Sequence, residues 1–262
     1  MRVKSSLGRM PNDRQRFAHA PRVAYEPGKV WGLSLMADVL SRTTRARSPA
    51  SEPAGSVLSE LQRSRIAESW AKRALDIAGA SAALLLFLPL LITVAMAVRL
   101  ESSGPIIFKQ RRTGHRGRIF TIYKFRTMTV TEDYDAVKQA TRNDARVTEV
   151  GALLRKLSLD ELPQFLNILM GDMSIVGPRP HALAHDAQYG EQIATYADRF
   201  RAKPGLTGLA QVNGLRGEIQ ELRCMRERVA ADNLYIESWS LGLDIAILAK
   251  TTLIIFTDPQ AY

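Results

Sequence analysis

Twenty-five consecutive residues, Ala74 to Val98, carry a single charge, Asp76. A straight helix rising about 1.5 Å per residue would let this run reach across the ~30 Å hydrocarbon core of a bilayer. Three features argue against a simple crossing. Lys72 and Arg73 precede the run, together with a basic stretch before them. Arg99, Lys109, Arg111, Arg112, Arg116, Arg118, Lys124 and Arg126 follow it, opposed by Glu101 alone, so the positive-inside rule places both ends on the cytoplasmic side. Pro89 lies just past the middle, where it removes a backbone hydrogen bond and bends the helix. The run is therefore expected to enter the bilayer, break near Leu88-Pro89 and return on the same face. A Pro-kinked spanning helix is the rival reading.

The remainder of the chain divides around this segment. Of 262 residues, 46% are hydrophobic, enough for a packed core, and the formal charge is +10. Residues 1 to 73 hold fourteen Lys and Arg against six Asp and Glu. Residues 1–70 read as a basic, largely disordered extension, helical from about Ser56 and a solvated tail rather than a dedicated binding arm. No signal-peptide core is visible in Met1 to Met10. Cys224 is the single cysteine, which excludes an intrachain disulfide and a cysteine zinc site and fits a reducing, cytoplasmic setting. Residues 71–100 are expected to form the membrane hairpin and 101–262 a separate compact domain on the cytosolic side. Within that domain Ile106 to Phe108 and Ile119 to Phe125 suggest a hairpin around Gly114-His115-Arg116-Gly117. Gly151 to Leu157, Pro163 to Met170 and Ile219 to Ile236 read as helices. Leu241 to Phe256 is apolar yet carries Asp244 and Lys250, so it is expected to lie as an amphipathic helix on the domain or the membrane surface. The expected fold class is mainly helical α+β, with a re-entrant helix-break-helix, a compact domain, a small β-hairpin and a surface amphipathic helix.

The densest group of chemistry-bearing residues is Arg155-Lys156-Leu157-Ser158-Leu159-Asp160-Glu161-Leu162-Pro163-Gln164. Pro163 suits a first helical turn, so a helix begins around Asp160 to Leu162, and its free N–H groups favour anions. At such a start both carboxylates can face one polar site, one attacking phosphorus and the other holding a divalent cation. The same residues also fit a plain helix cap, because Ser158 and Glu161 have capping-box spacing. Gly177-Pro178-Arg179-Pro180 mounts an arginine stiffly between two prolines. Lys203-Pro204-Gly205-Leu206-Thr207-Gly208 and Gln211-Val212-Asn213-Gly214-Leu215-Arg216-Gly217 are further turns with cations. Lys124 and Arg126 fall on one face if that segment is extended. His181 and His185 have the spacing of a helical metal pair but no third ligand, so substrate-loop or helix-face histidines are expected.

Taken in order, these motifs with Gly171-Asp172-Met173-Ser174-Ile175-Val176 and Trp239-Ser240 resemble the bacterial sugar transferase family, from Lys72 to about Phe256. Its members are monotopic polyprenyl-phosphate phosphoglycosyl transferases that initiate exopolysaccharide and glycan assembly. The resemblance implies that Asp160 attacks the β-phosphate of a UDP-sugar, expelling UMP, and that undecaprenyl phosphate then accepts the phosphosugar. It implies that Glu161 holds Mg²⁺, and that Lys124, Arg126, Arg155, Arg179, Arg216 and Asp232 serve substrate binding. UDP-glucose is the expected donor, with UDP-galactose the alternative. It further implies the cytoplasmic face of the bacterial inner membrane, with anionic lipid as a partner; a homo-oligomer is a further possible partner. Leu88 stands where many members have a serine before the proline, so the helix break needs another hydrogen-bond partner, Ser81 or a protein contact. Nucleic acid is not expected as a partner: no recognised motif is present and most of the excess charge lies in the tail.

Overall fold

The computed structural model describes Ile66 and residues 69–129, 144–215, 217, 219 and 221–257. The basic extension up to 65, including the helix expected from Ser56, and Arg216 lie outside the described residues. Ser69 caps the first helix, α1 (Trp70–Leu86), by accepting from the Lys72 amide at 3.3 Å. The second, α2 (Leu88–Glu101), follows after Phe87, and the pair is bent by 63°. Pro89 sits in the first turn of α2, where its missing N–H costs nothing. The break is met by main chain. The Phe87 amide donates to Ala83 O at 2.9 Å, and the Phe87 carbonyl accepts from Leu91 N at 2.8 Å. No single helix among the described residues is long and apolar enough to cross a membrane; the bent pair together is.

Two small sheets follow, in a mainly helical α+β architecture. Strands β1 (Ile107–Thr113) and β2 (Ile119–Phe125) form the expected antiparallel hairpin, with β1 longer than its apolar residues suggested. Arg126 ties the base of this hairpin to the end of α2. It is 4% exposed, and it donates to the carbonyls of Pro105, Val98 and Ser102. The second sheet was not anticipated. β3 (Ser174–Val176) pairs in parallel with β4 (Gly205–Thr207), two strands too short to show a periodic pattern. Gly177 and Gly205 let the two backbones touch, since a Cβ on Gly177 would meet the Lys203 carbonyl at 2.5 Å.

The helices are α3 (Glu149–Lys156), α4 (Gln164–Met170), α5 (Leu183–Gln192), the short α6 (Leu209–Val212), α7 (Leu222–Ser238) and α8 (Leu241–Thr257). Ala80 of α1, Phe120 and Ile122 of β2, Ile168 of α4 and Met173 form one apolar cluster. Val94 and Val98 of α2, with Phe125 and Leu154, form a second. The hairpin is thus packed against both helices of the bent pair, with α4 in the first cluster and α3 in the second.

Charges in the apolar segments are turned inward. Asp76 accepts from Ser174 Oγ and Ile175 N, both at 2.9 Å, which docks α1 on β3. Lys72 donates to Asp244 at 2.8 Å and to the Tyr235 hydroxyl at 3.1 Å. Asp244 also accepts from Tyr235 at 2.7 Å and from the Trp239 indole at 3.0 Å. Lys250 reaches Asn213 Oδ1 at 3.0 Å. The helix α8 therefore turns its charged residues inward, alongside the buried Ile247, and Leu241, Ile245 and Leu253 face outward. Lys72→Met would leave the wholly buried Asp244 carboxylate without its cation, a loss of about 3–5 kcal/mol. Thermal and denaturant unfolding of the purified variant should show it.

Candidate active site

The turn that joins α3 to α4 is short and unusual. Ser158 takes a left-handed conformation (φ 56°), which turns the chain out of α3 into one 3₁₀ turn, Leu159–Glu161. The Ser158 side chain makes no N-cap hydrogen bond, so the capping-box reading fails. Leu162 and Pro163 then continue in helical geometry into α4. A left-handed non-glycine residue costs of order 1–3 kcal/mol and persists where its surroundings enforce it.

Asn167, fully buried on α4, sets the position of this turn. Its Oδ1 accepts from the Tyr123 amide at 3.1 Å and its Nδ2 donates to Thr121 O at 2.7 Å. The carboxamide thereby continues the hydrogen bonding at the outer edge of β2. Lys124 follows Tyr123, and Glu161 lies just before α4, so this one side chain brings them into register. Arg73 closes the other end of α4 through the carbonyls of Ile168 (2.6 Å) and Leu169 (2.8 Å).

Glu161 is the centre of the cluster. Lys124 Nζ donates to its Oε1 at 2.7 Å. Arg179 donates to Oε1 at 2.5 Å and to Oε2 at 3.2 Å. Burial opposes ionisation of Glu161, but the charges and hydrogen bonds of Arg179 and Lys124 hold its carboxyl well below the usual range. Asp160 lies beside it under a different balance. Burial pushes its carboxyl up to about 6, Lys124, Arg179 and Arg155 pull down, and Glu161 pushes up. Arg112, which sequence reasoning passed over, also faces the group; burial and Arg179 lower it to about 10, against Asp186 and Glu161. The two neighbours thus differ: cations favour the ionised form of Glu161, while burial raises the proton affinity of Asp160, a contrast that suits a nucleophile beside a charge-holding carboxylate.

Of the predicted site residues, the structure brings together Lys124, Arg155, Asp160, Glu161 and Arg179. Two others fall elsewhere. Arg126 is consumed by the base of the hairpin, because Phe125 and Arg126 both turn into the core. Asp232 is 1% exposed on α7 and pairs with Arg199 at 2.7 Å, and Arg199 in turn donates to the Arg179 carbonyl. His181 precedes α5, so His181 and His185 do not share a helix face; His181 Nδ1 instead accepts from Arg199 at 2.6 Å. Among the described residues there is no group of three His, Cys, Asp or Glu able to hold a metal. Asn167 and Arg199, like Arg112, are residues that sequence reasoning missed. Asn167 lies in an ordinary helix, Arg199 in a 3₁₀ turn and Arg112 in a strand, and no local spacing marks them.

A partly buried carboxylate pair ringed by lysine and arginine, on a domain that carries a bent apolar helix pair, has the chemistry suited to handling phosphate. The family model for bacterial sugar transferases matches residues 67–258, and the chain belongs to that family. A UDP-glucose:undecaprenyl-phosphate glucose-1-phosphate transferase of Caulobacter vibrioides is 52% identical over 198 residues, which is 76% of this chain and 74% of the relative. A protein of the same name from Escherichia coli is 52% identical over 191 residues, 73% of this chain but 41% of that relative, so the chain spans less than half of its length. An exopolysaccharide production protein of Rhizobium leguminosarum is 44% identical over 184 residues, 69% of this chain and 92% of the relative.

The raised carboxyl of Asp160 makes a stability prediction. Its folded-state value lies above the ordinary 3.8, so the fold loses stability as pH rises from about 4 to about 6 and stays lower above that. Asp160→Asn removes this cost. The variant should be more stable than the parent at pH 8, by at most about 3 kcal/mol, with the gain gone at pH 4. Unfolding curves at the two pH values check it.

Proposed function

We propose that this chain transfers a hexose-1-phosphate from a UDP-sugar to undecaprenyl phosphate, releasing UMP, as the first step of exopolysaccharide assembly. UDP-glucose is the favoured donor because the Caulobacter and Escherichia coli relatives carry it in their names. The observation that carries the reading is the unequal carboxylate pair, Glu161 held ionised by two cations and Asp160 poised near neutrality.

In this mechanism an Asp160 oxygen attacks the β-phosphorus of the UDP-sugar. The bond from that phosphorus to the bridging oxygen breaks, and its electron pair leaves with UMP. A phosphate oxygen of the lipid acceptor then attacks the same phosphorus and displaces Asp160 with its electron pair. Lys124 and Arg179, which meet at Glu161, would offset the charge that builds on the phosphoryl oxygens. Glu161 keeps both cations close to Asp160 before substrate arrives. Asp160 and Glu161 also suit Mg²⁺, which takes one or two carboxylates and completes its shell with substrate phosphates and water. Held by Glu161, the ion would neutralise phosphate charge.

The lipid acceptor calls for a membrane surface, and the outward face of the helix pair supports one. Leu88, Ile92, Met96 and Leu100 repeat every four residues along α2 and are half or more exposed, and Leu85 and Leu86 of α1 are exposed beside the break. An apolar surface of this extent marks an interaction site. With cations at both ends and a 63° bend, we read the pair as a re-entrant hairpin on the cytoplasmic face of the bacterial inner membrane.

Asp160→Asn should abolish UMP release from UDP-glucose and the phosphosugar adduct on the protein, read by a UMP assay across a panel of UDP-sugars and by mass spectrometry. Full activity in that variant would remove the nucleophile. In the parent, kcat/KM should fall about tenfold per unit below about pH 6, as Asp160 takes up its proton. For the membrane segment, single cysteines at Trp70 and Ser103 in a Cys224→Ser background should both react with an impermeant maleimide from the cytoplasmic side. Reaction from opposite sides would replace the hairpin with a span.

A further inference from the structure

Arg179 reaches Glu161 from a segment whose main chain is fixed at every turn. Pro178 and Pro180 restrict φ on both sides of it. The Gly177 amide donates to Thr207 O at 2.8 Å, and the Pro178 carbonyl accepts from the Gly205 amide at 2.9 Å. The carbonyl of Arg179 itself is taken by a second arginine, Arg199, whose terminal nitrogen donates to it at 2.6 Å. Arg199 belongs to the 3₁₀ turn Tyr196–Arg201 and is 3% exposed.

The fork of Arg199 is spent on holding this place. The nitrogen that bonds the Arg179 carbonyl also donates to Asp232 at 2.7 Å, and Nε donates to the same carboxylate oxygen at 3.2 Å. The other terminal nitrogen donates to His181 Nδ1 at 2.6 Å, two residues beyond Arg179. An arginine can only donate, so Nδ1 must be the acceptor and the imidazole is neutral. Burial, and then Arg199, depress its proton affinity in keeping with this. The guanidinium lies 5.3 Å from the centroid of the Tyr196 ring, and the Tyr196 hydroxyl is anchored to Asp186 at 2.7 Å.

Resting on the transferase reading, we infer that Arg199, held by Asp232, is a positioning residue for the reaction: it aims the Arg179 guanidinium at Glu161 and the phosphates by pinning the Arg179 carbonyl. An apolar pair of similar volume could fill the space of a buried Arg–Asp pair at little cost in stability. It would supply no donor to the Arg179 carbonyl. That difference separates positioning from packing.

The test is a double-mutant cycle. The Arg199→Met, Asp232→Leu variant removes both buried charges together. It should keep its unfolding midpoint close to that of the parent and lose about 10- to 100-fold in kcat/KM for UMP release from UDP-glucose. Placed on an Arg179→Ala background, the same pair of changes should cost no more than about twofold, because its effect runs through Arg179. Losses that multiply in the two backgrounds, or an unchanged kcat/KM in the folded variant, would overturn the inference. If the pair does not fold, Arg199→Lys keeps the charge opposite Asp232 without the fork, and the same cycle applies to it. Hydrogen exchange adds an arm that needs no substrate: the Arg179 and His181 amides should exchange faster in the variant than in the parent, and unchanged exchange counts against the inference. That arm judges it even where UMP release is missing from the parent protein and the transferase reading falls.

Discussion

A carboxylate can stay ionised inside a protein only where cations and hydrogen bonds replace the water it has lost. For Glu161 those cations come from 37 residues upstream and 18 residues downstream. Much of the surrounding architecture serves to bring them there. The hairpin delivers Lys124, the parallel strand pair mounts the Pro-Arg-Pro segment that carries Arg179, and Asn167 docks α4 on the hairpin so that the catalytic turn meets both. Once Glu161 is satisfied, its neighbour Asp160 has the same cations at one remove, with a full carboxylate beside it and little water. Its higher proton affinity follows from that placement.

The same rule governs the apolar segments. A helix such as α8 carries charges and yet offers leucine and isoleucine to the outside, because Asp244 and Lys250 have partners within the domain. Lys72, Tyr235, Trp239 and Asp244 form a node that joins α1 to α7 and α8, and Asp76 joins α1 to β3. These contacts hold the bent apolar helix pair rigidly at the edge of the domain. The distance between Asp160 and the outward apolar face of the helix pair is then set by side-chain bonds and not by a linker, an arrangement that fits the proposed transfer from a soluble nucleotide-sugar to a lipid acceptor.

A good share of this was legible in the chain alone. The hairpin, four of the helices and the break in the apolar run follow from local periodicity, turn residues and a proline, all of which act over a few residues. Asp160, Glu161, Arg179, Lys124 and Arg155 stood out because charged groups clustered beside prolines and glycines have few plain structural uses. Arg126 and Asp232 are of types that suit phosphate binding, and nothing local reveals that one closes a hairpin base and the other pairs with a buried arginine. The β3–β4 pair escaped notice because three-residue strands 31 residues apart leave no periodic trace.

The sequence by itself determined the inventory: an apolar run that must bend, an acidic pair at a helix start, a stiffly mounted arginine, and cations enough for two anionic substrates. Tertiary structure decided which carboxylate is saturated and which is left to titrate. It also decided that Arg126 and Asp232 stand outside the centre, and that Asn167 and Arg199 support it from behind. The reason is physical. Backbone preference and hydrophobic pattern are short-range properties that residues carry wherever they occur. Proton affinity and side-chain aim depend on desolvation and on charges a few ångströms away, which only the folded chain assembles.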